Sequence, residues 1–162
     1  MAGGKGTRLR AITNDEIPKP MAPVAGKPIL EWQIECLRRQ GITDIVMITG
    51  HLGHKIREYF ENGARFGGAI QSIEETTTLG TAGALSMVPQ LLTGDSFFLV
   101  FGDVLFDIDL ARMERFHRER GALATLFVHP NVHPFDSDLV VCDEDGKVLK
   151  FDSKHNVRNY WY

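Results

Sequence analysis

Apolar and polar positions along this chain alternate between two periods. The segment "KPILEWQIECLRRQG" repeats its apolar residues at helical spacing, with Pro28 near the first turn and Gly41 as a stop, and so predicts a helix. "DIVMIT" is a short β-branched run that reads as a buried strand. "HKIREYFENG" predicts a second amphipathic helix closed by Gly63, and "AIQSIEE" alternates as a strand does. "TAGALSMVPQLL" predicts a helix bent or ended at Pro89. "SFFLVFGD" is the strongest strand pattern in the chain. "LARMERFHRERG" predicts another helix stopped by Gly121. "ALATLFVH", "DLVVCD" and "KVLKFDSK" then read as strands, the last two joined by the turn residues "DEDG".

Strands alternating with long helices predict βαβ units: an α/β fold, Rossmann-like, with a mostly parallel mixed sheet flanked by helices. Both ends of that pattern look cut. A glycine-rich loop at the start has no strand before it, and "NVRNYWY" stops without a helix or cap. The expectation is a piece of a longer protein, incomplete at its C-terminal end.

Length and composition narrow the class. The 162 residues, 43% apolar and 24% charged, suit one soluble domain with a real core. No apolar run approaches the roughly 18 residues of a membrane span, which excludes a membrane partner of that kind. Cys36 and Cys142 lie far apart without C-x-x-C spacing, as reduced thiols in a cytoplasm would, and read as small buried hydrophobes. A net charge of −3 argues against nucleic acid as a partner, so any bound anion must be met by locally concentrated donors.

Those donors are concentrated in "MAGGKGTRLR". Lys5 between Gly4 and Gly6 does not fit a Walker A loop, and Leu9 stands where a dinucleotide fingerprint needs its third glycine. Gly3, Gly4 and Gly6 nevertheless permit an anion nest of backbone amides, to which Lys5, Thr7, Arg8 and Arg10 add donors. In "IPKPMAPVAGKP", prolines on both sides of Lys19 fix where its ammonium points. "FGDVLFD" places Asp103 after a glycine at the end of a hydrophobic strand, where a carboxylate could hold Mg2+ with substrate phosphates. Asp109 is as well explained by capping the next helix. In an open α/β sheet these features should gather at the carboxyl ends of the strands. His51 with His54, and His129 with His133, have ligand-like spacing but no evident third partner, so they read as loop histidines. Trp32, Tyr59, Phe60 and Phe97 read as core.

Taken together, "MAGGKGTRLR", "PKPMAPVAGKPILEWQIE", "LGTAGAL", "FGDVLFD" and "VLKFDSK" resemble the sugar-nucleotide pyrophosphorylases, nucleotidyltransferases acting on sugar 1-phosphates. The likeness runs through essentially the whole chain in the family's order. "VHPNVHPFDSDLVV" looks most like the D-glycero-D-manno-heptose 1-phosphate and mannose 1-phosphate guanylyltransferases. The resemblance implies one catalytic domain over 1–162, with 1–128 the nucleotide-binding part and 129–162 the start of a truncated sugar-binding part. It implies an NTP, with GTP favoured, and a sugar 1-phosphate as partners, Mg2+ as cofactor, and room for a homo-oligomer.

By the same resemblance Lys5, Gly6, Thr7 and Arg8 hold the triphosphate, with Gly4 in the same loop and Ala2 and Gly3 near base and ribose. Lys19 bridges the reacting phosphates, and Gly80 and Thr81 lie against the nucleobase with Glu75 nearby. Asp103 holds the metal and Lys154 meets the sugar phosphate. The sequence departs from the family where "FDSKH" puts Ser153 in place of glutamate and His155 in place of proline. The family's second metal-binding aspartate would fall beyond Tyr162. Two other readings compete: a catalytically silent relative that binds nucleotide and regulates a partner, and a dinucleotide-binding oxidoreductase. The missing third glycine, and the lack of an acidic residue ending "DIVMIT", weigh against the second of these.

Overall fold

Ala25 and Gly26, both at positive φ (49° and 88°), turn the chain between two short antiparallel strands, β1 (Pro23–Val24) and β2 (Lys27–Pro28). Helix α1 (Ile29–Arg39) starts directly from Pro28 and buries Leu30, Gln33, Ile34 and Leu37, one stripe at helical spacing. It ends where Gly41, at φ 83°, lets the Gly41 and Ile42 amides bond back to the Arg38 and Leu37 carbonyls. These elements belong to a computed structural model that describes residues 1–2, 14, 16–77, 79–92, 94–130 and 137–156. Two compact units divide the chain, Met1–Leu110 and Ala111–Tyr162.

In the first unit β3 (Asp44–Thr49) is followed by α2 (Gly53–Phe60) and β4 (Ala69–Glu74). The strands pair in parallel from Asp44 opposite Ala69 to Thr49 opposite Glu74, the expected βαβ unit. β3 is buried on both faces, which is why "DIVMIT" reads as a continuous apolar run rather than an alternation. Met47 joins Ala2, Leu30, Ile34, Ile56, Phe60 and Ile70 on one side. Ile48 joins Ala84 and Val88 on the other. Helix α3 (Gly80–Leu85) stops before Pro89, which opens a separate 3-10 turn over Pro89–Leu91. Ser86 closes α3 by donating its hydroxyl to the Gly83 carbonyl at 2.6 Å.

The segment "SFFLVFGD" does not form the strand its sequence predicts. A strand requires a neighbouring ladder, and among the described residues the backbone that meets this one is that of Met1. The Met1 amino group donates to the Val100 carbonyl at 2.7 Å, and the Gly102 amide donates to the Met1 carbonyl at 2.8 Å. Ala2 in turn donates to Ile48 at 2.8 Å and bridges Thr49 in parallel. Beside this two-residue contact a cavity of about 610 Å³ opens between β3 and residues 96–100, lined by Ile48, Leu85, Phe98 and Val100 among others. Phe97, expected in the core, is 53% exposed as a result.

The second unit carries all but the first residue of α3's successor, α4 (Leu110–Arg120), and the antiparallel hairpin of β5 (Leu139–Cys142) and β6 (Val148–Asp152). The expected "DEDG" turn is present: Asp143 accepts from the amides of Asp145 and Lys147, with Gly146 at φ 80°. "ALATLFVH" lacks a ladder among the described residues and is not a strand; Leu123, Leu126, Phe127 and Val128 are exposed. Cys142 is exposed on the hairpin and Cys36 half-buried, so neither is the fully buried hydrophobe expected. The α/β class stands, with parallel and antiparallel pairing both present: one parallel and two antiparallel strand pairs among the described residues.

Candidate functional site

Because β3 and β4 run in parallel, their last residues, Thr49 and Glu74, share one edge. Thr49 is fully buried and organises that edge. Its hydroxyl donates to the Ile73 carbonyl at 3.2 Å, its carbonyl accepts from the Glu75 amide at 2.7 Å, and its backbone bridges Ala2. Gly53 permits this packing, since a Cβ there would stand 2.7 Å from the Thr49 hydroxyl oxygen.

At the same edge Lys19 and Asp103, 84 positions apart, meet as an ion pair between the ammonium and one carboxylate oxygen. Lys19 begins a 3-10 turn, Lys19–Met21, entered from Pro18 and continued by buried Pro20. Asp103 follows Gly102, at which three pieces of chain converge. A Cβ on Gly102 would lie 3.1 Å from the Met1 carbonyl oxygen, 3.2 Å from the Ala2 methyl and 3.3 Å from a Pro20 ring carbon. Burial lowers the pKa of the Met1 amino group from its ordinary 8.0, and the Asp103 charge partly opposes that shift.

Glu75 accepts from the Leu79 amide at 2.6 Å, which ties the approach to α3 back to the end of β4. Gly80 opens α3 at φ 71°, a conformation that suits glycine. Thr81 follows it within the helix. Lys154 belongs to the other unit, in the turn after β6; its amide donates to Asp138 at 2.9 Å, which holds the Asp138 carboxyl below its ordinary 3.8. Gly3, Gly4, Lys5, Gly6, Thr7 and Arg8 lie outside the described residues, as does His133.

Ala2, Lys19 and Asp103 are therefore brought together at the carboxyl edge. Sequence reasoning missed three residues that build this edge. Gly102 reads from the sequence only as the neighbour of Asp103, and Thr49 only as the last residue of a strand. Gln33 is 3% exposed on the apolar stripe of α1. A polar residue at a core position was the available signal.

Asp103 with its side chain about one-third exposed (32%) suits Mg2+, which takes one or two carboxylates and fills the rest of its shell with substrate phosphates and water. Among the described residues no three His, Cys, Asp or Glu side chains converge to cage a metal by themselves. No described helix is long and apolar enough to cross a membrane.

The Lys19–Asp103 pair thus stands at the carboxyl edge of a βαβ unit, the place where open α/β sheets bind their ligands. The chain belongs to the nucleotidyl transferase family, whose pattern matches residues 1–159. It is 38% identical over 170 residues to a UTP–glucose-1-phosphate uridylyltransferase of Synechocystis, which covers 97% of this chain and 44% of that protein. It is 34% identical to the mannose-1-phosphate guanyltransferase beta-B of Xenopus laevis, over 97% of this chain and 44% of the relative. Against the D-glycero-alpha-D-manno-heptose 1-phosphate guanylyltransferase of Aneurinibacillus thermoaerophilus the identity is 35%, over 95% and 66%. The chain thus spans less than half the length of the first two. A crystal structure from Bacillus anthracis, described as a glucose-1-phosphate thymidylyltransferase with sucrose, shares the fold at TM-score 0.83 and 24% identity, over 94% of this chain and 62% of that one.

Proposed function

We propose that the protein containing this chain transfers a nucleoside monophosphate from an NTP to a sugar 1-phosphate, releasing pyrophosphate. We propose GTP as the nucleotide, D-glycero-D-manno-heptose 1-phosphate or mannose 1-phosphate as the acceptor, and the cytoplasm as the location. The observation that carries the reading is the convergence of Lys19 and Asp103 beside Ala2. The relatives named for guanylyl transfer to mannose and heptose phosphates support the finer choice.

The chemistry asks little of the protein beyond placement. A sugar phosphate is largely dianionic near neutral pH, with a second pKa of about 6, so no general base is required. One of its oxygens forms a bond to the α-phosphorus while the bond to the bridging oxygen of pyrophosphate breaks opposite. Mg2+ held by Asp103 would supply charge neutralisation on the phosphates. Lys19 contributes a fixed positive charge between two approaching anions. The loop of Gly3, Gly4, Lys5, Gly6, Thr7 and Arg8 cradles the triphosphate in this reading. Gly80 and Thr81 lie along the base, and Lys154 meets the sugar phosphate.

The test is Mg2+-dependent pyrophosphate release from the full-length protein, crossing five NTPs with heptose, mannose and glucose 1-phosphates. Release in one nucleotide–sugar combination, abolished by Asp103→Asn, is the expected result. Silence across the grid from a folded protein would overturn it in favour of a silent nucleotide-binding relative.

A further inference from the structure

One stripe of α1 reaches across to the connection that carries Asp103. Gln33 and Cys36, with Gln40 capping the helix end, lie three and seven residues apart and so share a face. Each of them meets backbone between residues 101 and 110. The Gln33 side-chain amide donates to the Phe101 carbonyl at 2.8 Å and to the Val104 carbonyl. The Cys36 thiol approaches the Phe106 carbonyl at 3.8 Å. The Gln40 side-chain oxygen accepts from the Leu110 amide at 2.9 Å, capping the first residue of α4.

The Gln33 contacts are the telling ones. Phe101–Val104 is a turn closed by the Val104 amide on the Phe101 carbonyl at 3.3 Å, with Asp103 at its third position. Among the described residues no strand ladder meets the Phe101 and Val104 carbonyls, and the buried Gln33 amide donates to both. A single buried amide group bonds both ends of the turn, and Lys19 holds the carboxylate in its middle. Glutamine also stands where the α1 pattern calls for an apolar residue, beside Leu30, Ile34 and Leu37. Such a substitution costs stability unless both donors are used.

We infer that Gln33 is a positioning residue: it fixes the turn that aims the Asp103 carboxylate. The inference rests on the metal-holding role of Asp103 proposed above, and two arms separate the two claims.

The first arm needs neither metal nor substrate. Amide hydrogen exchange of residues 102–106 is compared in the full-length protein, in Gln33→Met and in Leu37→Ala, a core change on the same helix that leaves the turn's partners intact. Gln33→Met should speed exchange in the turn about tenfold beyond what Leu37→Ala causes, as loss of a buried partner would. Equal exchange in the two variants would overturn the inference. Should Gln33→Met fail to fold, the unmodified protein still decides. The Gln33 side-chain amide protons should exchange far more slowly than those of exposed Gln71, and equal rates would refute the clamp.

The second arm measures Mn2+ binding with NTP present, by electron spin resonance. Loss of a residue that orients a metal ligand weakens metal binding by about 10- to 100-fold, and Gln33→Met should do the same. Unchanged affinity in Gln33→Met beside weakened affinity in Asp103→Asn would overturn the positioning role. Unchanged affinity in Asp103→Asn would overturn the metal assignment itself, and with it the positioning role, while the exchange arm would still judge the clamp on the turn.

Discussion

Lys19→Met separates what the Lys19–Asp103 pair does for folding from what it does for reaction. Both side chains are about one-third exposed, 35% and 32%, so water screens their attraction. Exposed pairs of this kind contribute about 0–1 kcal/mol. The methionine keeps most of the aliphatic stem, and Pro18 and Pro20 still fix the turn. In a domain of this size 1 kcal/mol moves the melting temperature by about 2–4 °C, so Lys19→Met should melt within about 4 °C of the parent. Turnover should respond differently. A fixed charge that acts on the transition state is worth about 2.7–4 kcal/mol, so pyrophosphate release should fall by roughly 10²–10³. The assay is pyrophosphate release at saturating NTP and sugar phosphate, alongside scanning calorimetry of the same preparation. A large drop in melting temperature with a proportionate loss of activity would make Lys19 a structural residue. Less than about a threefold loss of turnover would remove it from the site, whatever the calorimetry showed.

Gly102→Ala should destabilise the protein by about 1–3 kcal/mol, because its new methyl group would press on Met1, Ala2 and Pro20 from three sides; an unchanged urea midpoint would mean that these neighbours give way freely. Phe60→Ala empties a position that is 1% exposed between α2 and the sheet and should cost about 3–5 kcal/mol by chemical denaturation. Tyr59 titrates above its ordinary 10.0, chiefly because its hydroxyl donates to Glu31 at 2.6 Å. Since its folded pKa is the higher one, that stabilisation is fully present below pH 10.0 and lost as pH rises through the folded value. Tyr59→Phe should flatten this alkaline loss, and a phenolate absorbance titration showing Tyr59 ionising at or below 10.0 would contradict the assignment.

The elements that could be read in advance are those whose stabilising partners lie close in sequence. α1, α2 and α4 follow from apolar spacing and a glycine stop, and the β5–β6 hairpin from its own turn residues. "SFFLVFGD" has stronger β-propensity than "AIQSIEE", yet only the latter is a strand, because β3 lies alongside it. Propensity is a property of the segment, whereas a ladder belongs to its neighbours. The site divides the same way. Lys19 and Asp103 were legible as chemistry, from prolines that stiffen and a carboxylate at a segment end. Gln33 was not, since its meaning depends on two carbonyls about seventy residues away.

Those long-range ties hold the carboxyl edge where few strands among the described residues define it. Thr49 fixes Ala2 and Glu75 through its backbone and Ile73 through its side chain. Ala2 and Met1 then fix residues 100–102, and Gln33 fixes the turn from 101 to 104. Each tie is a hydrogen bond or bridge to backbone, so it constrains where a loop runs while leaving its side chains free for ligand. Lys19 and Asp103 stand at the end of that series with their charged atoms partly open to solvent. Under the proposed function, a site that admits a triphosphate and a second anion needs this division. Rigidity resides in buried amides and a buried threonine, and the charges that meet the ligands stay at the rim.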